Sequence, residues 1–122
     1  MKQILLVGIG GGLGSILRYL INELSRKFSW NTLPFGTLTA NLLGSLLIGI
    51  LLGYFTRNQG ISQEWSLLLI TGFCGGFTTF STFSAENFGF IQSGNYTSFL
   101  LYTIGSVLLG IIAVFLGFLL TK

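Results

Sequence analysis

The sequence lacks most of the side chains from which enzyme and metal sites are built. Its 122 residues include no histidine, no aspartate, a single cysteine and three glutamates, Glu23, Glu64 and Glu86. One thiol and three widely spaced carboxylates supply no disulfide framework, no zinc site and no nucleophile paired with a base. We therefore predict a protein that is not an enzyme.

Charged residues are scarce as well. They make up 7% of the chain, against 51% hydrophobic residues, whereas soluble domains carry about 25% charged residues. A membrane-spanning helix needs roughly 20 apolar residues, and the chain contains four such stretches. The composition predicts an all-α membrane protein with one domain over residues 1–122, placed in a lipid bilayer, whose four transmembrane helices cover residues 4–24, 35–55, 65–91 and 99–120.

The few positive charges favour neither side of a membrane. Six lysines and arginines are too few and too dispersed for a nucleic-acid surface, so we expect no nucleic-acid partner. Topology follows the Lys/Arg bias of short loops, and four alternating helices divide these charges equally. The even division predicts dual topology, with orientation set by other signals as the alternative. The two groups are Lys2, Arg57 and Lys122 on one side, and Arg18, Arg26 and Lys27 on the other.

The segment TGFCGGFTTFSTFS at residues 71–84 differs from the apolar chain around it. It contains six hydroxyls and three glycines. The third apolar stretch is longer than one span needs, and Cys74, Gly75 and Gly76 within it are typical of a discontinuous helix with exposed backbone carbonyls. A tilted continuous helix is the alternative.

Phenylalanines recur in this segment at helical spacing. Phe73, Phe77, Phe80 and Phe83 are separated by four, three and three residues, which predicts one stripe on a helix face. Such a stripe usually contacts lipid or another helix. Here hydroxyls lie between the rings, and ring edges carry the positive end of the aromatic quadrupole. The combination predicts a site for a small anion that uses no full positive charge.

Three polar side chains lie inside the predicted spans, where an unpartnered polar group is costly. Asn41 either clamps a neighbouring helix or directs its N–H donors to an anion. Arg18 is expected to be structural or interfacial, with a direct anion contact as the alternative. Glu86 faces a water-filled vestibule, bonds a hydroxyl across a helix interface, or relays protons. On the last helix, Tyr102 and Ser106 lie one turn apart on one face.

Glycines recur at four-residue spacing, which lets helix backbones approach closely. Gly8 and Gly12 are predicted to form such a packing pair, because the glycines around them lack the spacing of a dinucleotide-binding loop. The other predicted packing positions are Ala40 with Gly44, then Ser45, Gly49 and Gly53 on the second helix, and Gly105, Gly110 and Gly117 on the last.

Three motifs, in order along the chain, resemble those of the Fluc fluoride-channel family, also called CrcB. GGGLGSILRY at residues 10–19 is similar to the family's GGxxGAxxRY, with Ser15 in place of alanine. PFGTLTANLLGS at residues 34–45 is similar to PxGTLxVNxxGS, with Ala40 in place of valine. GFCGGFTTFSTFS at residues 72–84 is similar to the family's most diagnostic stretch almost letter for letter. The resemblance extends over the whole chain.

This resemblance implies a passive, fluoride-selective channel that exports cytoplasmic fluoride across a bacterial cytoplasmic (inner) membrane and gives fluoride resistance. The implied assembly is an antiparallel, dual-topology homodimer with two pores and a central sodium ion. The backbone carbonyls of Gly75 and Thr78 would hold the sodium. Asn41 would donate to fluoride, and two rings would present their edges to it. The implied fluoride pathway comprises Asn41, Thr79, Phe80, Ser81, Thr82, Phe83, Tyr102 and Ser106, and Gly110 stands where some members continue the track with a hydroxyl.

Two other functions remain open from the sequence. A small proton-coupled multidrug exporter also has four short helices, but it needs a carboxylate deep in the membrane. The first helix has none before Glu23, which leaves Glu86 as the candidate. A non-conducting subunit of a larger complex would use the same glycine packing without needing Asn41, Phe80 and Phe83.

Overall fold

The computed structural model describes residues 1–27, 33–59 and 62–122. Four helical spans in this part of the chain are long and apolar enough to cross a membrane. The predicted all-helical architecture is therefore confirmed, and each span extends slightly beyond the residues predicted for it. The spans are α1 (Lys2–Lys27), α2 (Phe35–Arg57), the third span (Gln63–Gln92) and the last helix, labelled α6 below (Tyr96–Thr121).

The third span is not one regular helix. It begins with a short α-helical turn, continues as a π-helix, returns to an α-helical turn and then opens before a longer helix. Thr78 and Thr79 form the break, because both have extended backbone, with φ −86° and ψ 162° at Thr78 and φ −150° and ψ 123° at Thr79. The elements are α3 (Gln63–Ser66), π1 (Leu67–Cys74), α4 (Gly75–Phe77) and α5 (Phe80–Gln92).

The predicted discontinuity is confirmed, but the chain opens after the glycines rather than at them. Gly75 and Gly76 lie in the α-helical turn α4. A Cβ atom on Gly76 would lie 2.8 Å from the Cα atom of Gly11 on α1, closer than side chains approach backbone. Gly76 therefore serves close packing against α1, and hydroxyl residues form the break.

Contact between α1 and the third span depends on a different glycine pair from the one predicted. A Cβ atom on Gly10 would lie 2.8 Å from the Phe73 nitrogen, and one on Gly14 would lie 2.8 Å from the Phe77 nitrogen. Gly8 and Gly12 have no atom within 4 Å of such a Cβ among the described residues. The prediction for Gly8 and Gly12 is wrong within the subunit, because spacing gives the period of a stripe but not the helix face that meets a neighbour.

The second helix packs along α6, and here the predicted glycine track is confirmed. A Cβ atom on Gly49 would lie 2.8 Å from the Val114 carbonyl carbon, and one on Gly117 would lie 2.8 Å from the Ile50 nitrogen. Gly105 was predicted as a further packing point, but no described atom lies within 4 Å of its Cβ position. The two backbones therefore approach closely near one end of α6.

Two ion pairs mark opposite ends of α1. Lys2 Nζ lies 3.1 Å from Glu64 Oε1, at the start of the third span. Arg26 Nη1 lies 2.9 Å from Glu23 Oε1, near the other end of α1. Both pairs are exposed, so each adds little to stability, of order 0–1 kcal/mol. The Lys2 pair shows that α1 and the third span begin on the same side of the bundle.

Candidate functional site

The Asn41 side chain on α2 forms hydrogen bonds with the backbone at the break in the third span. The Thr79 backbone N–H donates to Asn41 Oδ1 at 2.8 Å, and Asn41 Nδ2 donates to the Thr79 carbonyl at 3.2 Å. The extended backbone takes the Thr79 N–H away from its helical acceptor, and Asn41 Oδ1 replaces that acceptor. The bond from Asn41 Nδ2 is an additional one to the carbonyl of the residue that begins α5. Asn41 thus makes the interhelical clamp. One of its two N–H groups bonds Thr79, which leaves the second for another acceptor.

Thr79 also begins the helix that follows the break. Its Oγ1 accepts a hydrogen bond from the Thr82 backbone N–H at 3.2 Å, the usual contact of an N-cap residue. The Ser81 hydroxyl lies 3.5 Å from the same oxygen. The N-terminus of α5 carries the positive end of the helix dipole, which favours an anion nearby.

Two side chains of α1 donate hydrogen bonds to backbone carbonyls that have lost their helical partners at the break. Ser15 Oγ donates to the Gly76 carbonyl at 3.4 Å, and Arg18 Nη1 donates to the Thr78 carbonyl at 3.1 Å. Both carbonyls lack the amide four residues on that a continuous helix would supply. Arg18 is therefore bonded to the break and does not extend to the end of α1.

The two carbonyls implied for sodium differ in their surroundings. The Gly75 carbonyl is without its helical partner, because the Thr79 N–H four residues on donates to Asn41 instead. A free carbonyl oxygen is a suitable ligand for a hard cation. The Thr78 carbonyl already accepts from the Arg18 guanidinium. The Gly75 carbonyl oxygen thus fits a sodium ion. A sodium ion at the Thr78 carbonyl would share that oxygen with the positively charged Arg18 guanidinium.

A groove of about 300 Å³ runs beside the break, between α2, α5 and α6. Its wall combines hydroxyl and amide groups with aromatic and aliphatic side chains. The Ser106 hydroxyl is buried, and no described residue bonds it. The groove is lined by Leu38, Asn41, Leu42, Ser45, Ile48, Thr78, Thr79, Phe80, Phe83, Ser106, Val107 and Gly110.

The phenylalanines form two pairs, not the single stripe that their spacing predicts. The rings of Phe73 and Phe77 stack with centroids 5.8 Å apart, and Phe77 is 6% exposed. The Phe80 and Phe83 centroids are 6.0 Å apart, and Phe80 is 79% exposed. The prediction is wrong because the extended residues of the break turn α5 away from α4, which separates the two pairs. Phe83 also contacts Tyr102, at 5.0 Å between ring centroids.

Glu86 lies at the centre of a second polar cluster. Thr37 Oγ1 donates to its Oε2 and the Tyr102 hydroxyl donates to its Oε1, each at 2.8 Å. Glu86, Thr37 and Thr82 line a second cavity of about 420 Å³. Of the three alternatives for Glu86, the hydroxyl bond across a helix interface and the position on a cavity are both present. Because the Tyr102 hydroxyl proton points to Glu86, its ring is the part that faces Phe83.

Thr37 was not among the predicted site residues. It is 2% exposed and bonds Glu86 from α2. The available signal was its position four residues before Asn41, since residues at that spacing lie on one helix face. A hydroxyl that shares the face of an intramembrane amide is thus a candidate for the same polar layer.

Comparison with known proteins identifies a family over nearly the whole chain. The model of the family described as CrcB-like protein, Camphor Resistance (CrcB), matches residues 5–118. This span includes α2, the break and most of α1 and α6. The matched region therefore contains every side chain that lines the groove.

Curated relatives match at full length. A protein of Azobacteroides pseudotrichonymphae is 45% identical over all of this chain and 98% of its own length. One of Gloeothece citriformis is 48% identical over the same shares of the two chains, and one of Leptospira interrogans is 49% identical over 95% of this chain and 91% of its own. Each of these relatives is named fluoride-specific ion channel FluC.

Proposed function

We propose that this chain, which belongs to the CrcB-like protein family, is a subunit of a passive, fluoride-selective ion channel. The channel exports cytoplasmic fluoride and so gives fluoride resistance. The observation that carries this proposal is the groove in which Asn41, Phe80, Phe83 and Ser106 lie together. Relatives named as fluoride channels share 45–49% of their residues with this chain over nearly its full length.

Fluoride is small and strongly hydrated, so a pore must replace its water with other hydrogen-bond donors. The second N–H of Asn41 and the unpartnered hydroxyl of Ser106 are such donors. The edges of Phe80 and Phe83 add the positive end of a quadrupole. Uncharged donors in a narrow passage favour the smallest halide, because a larger anion does not fit and a fixed cation would hold any anion.

The hydroxyls of Thr79, Ser81 and Thr82 continue the fluoride pathway around the start of α5. Thr82 lines the second cavity, and Thr79 lines the groove. In this arrangement Tyr102 contributes its ring beside Phe83, because its hydroxyl is bonded to Glu86. Glu86 and Thr37 fix the orientation of Tyr102 and so act on the pathway through it.

A passive pore suffices for export. Hydrogen fluoride enters a cell as a neutral acid and ionises in a near-neutral cytoplasm, which traps the anion. A negative cell interior then drives each anion outward with about 2.3 kcal/mol per 100 mV. The chain is a multi-pass membrane protein with four spans, and the cytoplasmic membrane of a bacterium is the membrane at which this export works.

The working unit in this proposal is an antiparallel homodimer. Phe80 is 79% exposed in the single subunit, and a pathway ring gains selectivity only if a second surface encloses it. The equal division of Lys and Arg between the two sides supports insertion in both orientations. A central sodium ion would be held by the carbonyls of Gly75 and Thr78, where it would neutralise their partial charges.

The exporter hypothesis lacks comparable support. The relatives are named as ion channels, and Glu86, the intramembrane carboxylate, accepts hydrogen bonds from two hydroxyls.

Fluoride efflux from liposomes tests the proposal. The purified chain is reconstituted into liposomes loaded with potassium fluoride, and efflux is started with valinomycin and followed with a fluoride electrode. We expect rapid fluoride efflux with no imposed proton gradient, and no chloride efflux from matched chloride-loaded vesicles. Efflux that requires a proton gradient would support the exporter instead, and absence of fluoride efflux would support the non-conducting subunit.

A further inference from the structure

Arg18 is a half-buried cation bonded to the backbone of the break. Its Nη1 donates to the Thr78 carbonyl at 3.1 Å. The α1 backbone that carries it packs closely on the third span, since a Cβ atom on Gly14, one helical turn earlier, would lie 2.8 Å from the Phe77 nitrogen. The packing fixes where the Arg18 side chain begins, and the hydrogen bond to Thr78 places its guanidinium at the break.

No carboxylate of the chain neutralises this charge in the structure. The sequence has three acidic side chains, and each lies in the described part with other partners. Glu64 pairs with Lys2, and Glu23 pairs with Arg26. Glu86 accepts hydrogen bonds from two hydroxyls. The negative end of backbone carbonyl dipoles is therefore what faces the Arg18 guanidinium.

The same carbonyl is one of the two that the proposed function assigns to sodium. A carbonyl oxygen has two lone pairs and can accept from both a guanidinium and a metal ion. The two cations would then lie within a few ångströms of each other, and repulsion between like charges is strong where water is excluded. We propose that Arg18 is a positioning residue that holds the Thr78 carbonyl at the break and, by charge repulsion, lowers the affinity of the carbonyl site for sodium.

This inference rests on the proposed function, because the sodium site is part of it. It extends that function by giving Arg18 a role in regulating the site. Removal of the charge should then strengthen sodium binding even where it weakens the fold. A purely structural hydrogen bond would change stability equally at all sodium concentrations.

The experiment measures the thermal unfolding of the detergent-purified full chain against sodium concentration. Sodium chloride is exchanged for N-methylglucamine chloride at constant ionic strength, and the sodium concentration that gives half the maximal rise in Tm is recorded. We expect this concentration to fall by about tenfold or more in Arg18→Gln, because the amide keeps a hydrogen-bond donor but removes the charge.

Two variants serve as matched comparisons. Ser15→Ala removes the uncharged donor that α1 supplies to the Gly76 carbonyl, and it should leave the half-saturating sodium concentration unchanged. Arg18→Lys keeps the charge and should shift that concentration far less than Arg18→Gln. If Arg18→Gln does not yield folded protein, Arg18→Met removes the same charge with a side chain that a membrane span accepts.

The inference is overturned if the sodium curve of the neutral variant superimposes on that of the wild type, or shifts to higher sodium. It is also overturned if Tm is independent of sodium in both proteins. Fluoride efflux by the wild type, measured separately, distinguishes this result from failure of the channel proposal. If the wild type conducts fluoride but its sodium curve superimposes on that of the neutral variant, only the role of Arg18 is refuted. If the curve of the neutral variant shifts to lower sodium but the wild type gives no fluoride efflux, the channel proposal is refuted.

Discussion

Hydrogen bonds from side chains hold the break of the third span. Asn41 bonds the N–H and the carbonyl of Thr79, and Ser15 and Arg18 bond the carbonyls of Gly76 and Thr78. Each such bond adds about 1 kcal/mol, but a buried group left without a partner costs about 1–3 kcal/mol. The residues that bond the break are therefore costly to remove, and Asn41, which also lines the groove, is one of them.

Asn41→Asp removes both N–H groups of this side chain and keeps its acceptor oxygen. The aspartate can still accept from the Thr79 N–H, but it loses the bond to the Thr79 carbonyl, has no donor for the groove and places a negative charge there. We expect fluoride efflux to fall by about tenfold or more, since a hydrogen bond to a charged group is worth about 1.5–3 kcal/mol. Liposome efflux at equal protein content gives the measurement.

The matched control for this variant is Asn58→Asp. Asn58 is an exposed amide after the end of α2, where its Nδ2 donates to the Tyr54 carbonyl at 3.0 Å. The chemical change is the same but lies outside the groove, so efflux should stay at the wild-type rate. Unchanged efflux in Asn41→Asp would contradict a donor role for Asn41 in the groove.

The third span combines three backbone geometries that serve different purposes. The π-helix π1 and the turn α4 pack against α1, and glycines on both sides allow the backbones to touch. The break then redirects the chain, so that α5 presents Phe80 and Phe83 to the groove. Close packing of the first half therefore fixes where the second half begins, and so where the site residues lie.

Gly14→Ala tests this packing. The added Cβ would lie 2.8 Å from the Phe77 nitrogen, and backbone cannot move aside as a side chain can. We expect a loss of about 1–3 kcal/mol in unfolding free energy, the usual cost of overpacking, together with a lower Tm of the purified protein. Gly8→Ala adds the same methyl group to α1 where no described atom lies within 4 Å.

A Gly8→Ala protein should therefore unfold near the wild-type temperature. Equal Tm values for the two variants would contradict the assignment of Gly14 to the contact between α1 and the third span.

The subunit buries few side chains of its own among the residues that the structure describes. The hydrophobic residues buried among the described ones are Ala40, Cys74, Phe77 and Tyr102. Large apolar side chains are exposed along α1 and α6, which suits a surface that faces lipid or a second copy. Since lipid and a second copy are both apolar, this surface does not select an orientation, and we expect the balance of charge at the helix ends to set the orientation in which each copy inserts.

Two variants that each add one positive charge, on opposite sides of the bundle, test dual topology. Gln59 and Gln92 are exposed residues at opposite sides of the bundle, after α2 and at the end of α5 respectively. Gln59→Lys and Gln92→Lys each add one positive charge to one side and should bias insertion in opposite directions. If the channel is an antiparallel dimer, each variant expressed alone should give less fluoride efflux than the wild type.

Co-expression of the two variants should restore efflux, because each supplies the orientation that the other lacks. Reporter fusions to the C-terminus give the orientation of each variant directly. Full activity of a variant shown to insert in one orientation only would rule out the antiparallel arrangement.

Composition and local pattern alone determined the coarse architecture. Scarce charge and four apolar stretches of about 20 residues indicated membrane helices, because a helix of that length spans a bilayer and satisfies its backbone hydrogen bonds within itself. The segment at residues 71–84 likewise indicated a discontinuous third span. These two inferences succeed because they depend on the solvent and on local backbone preference, which each short stretch carries within itself. The anion site that the hydroxyls and rings of this segment indicated stays a prediction.

Tertiary structure alone decided which faces meet and which polar groups pair. Spacing marked Gly8 and Gly12, but the rotation of α1 against the third span selects Gly10 and Gly14. The helical period predicted that four phenylalanines form one stripe, but the break separates them into two pairs. A periodic pattern gives relative angles within one helix, whereas contacts depend on the rotation of each helix against its neighbours, and many residues far apart in the chain fix that rotation together.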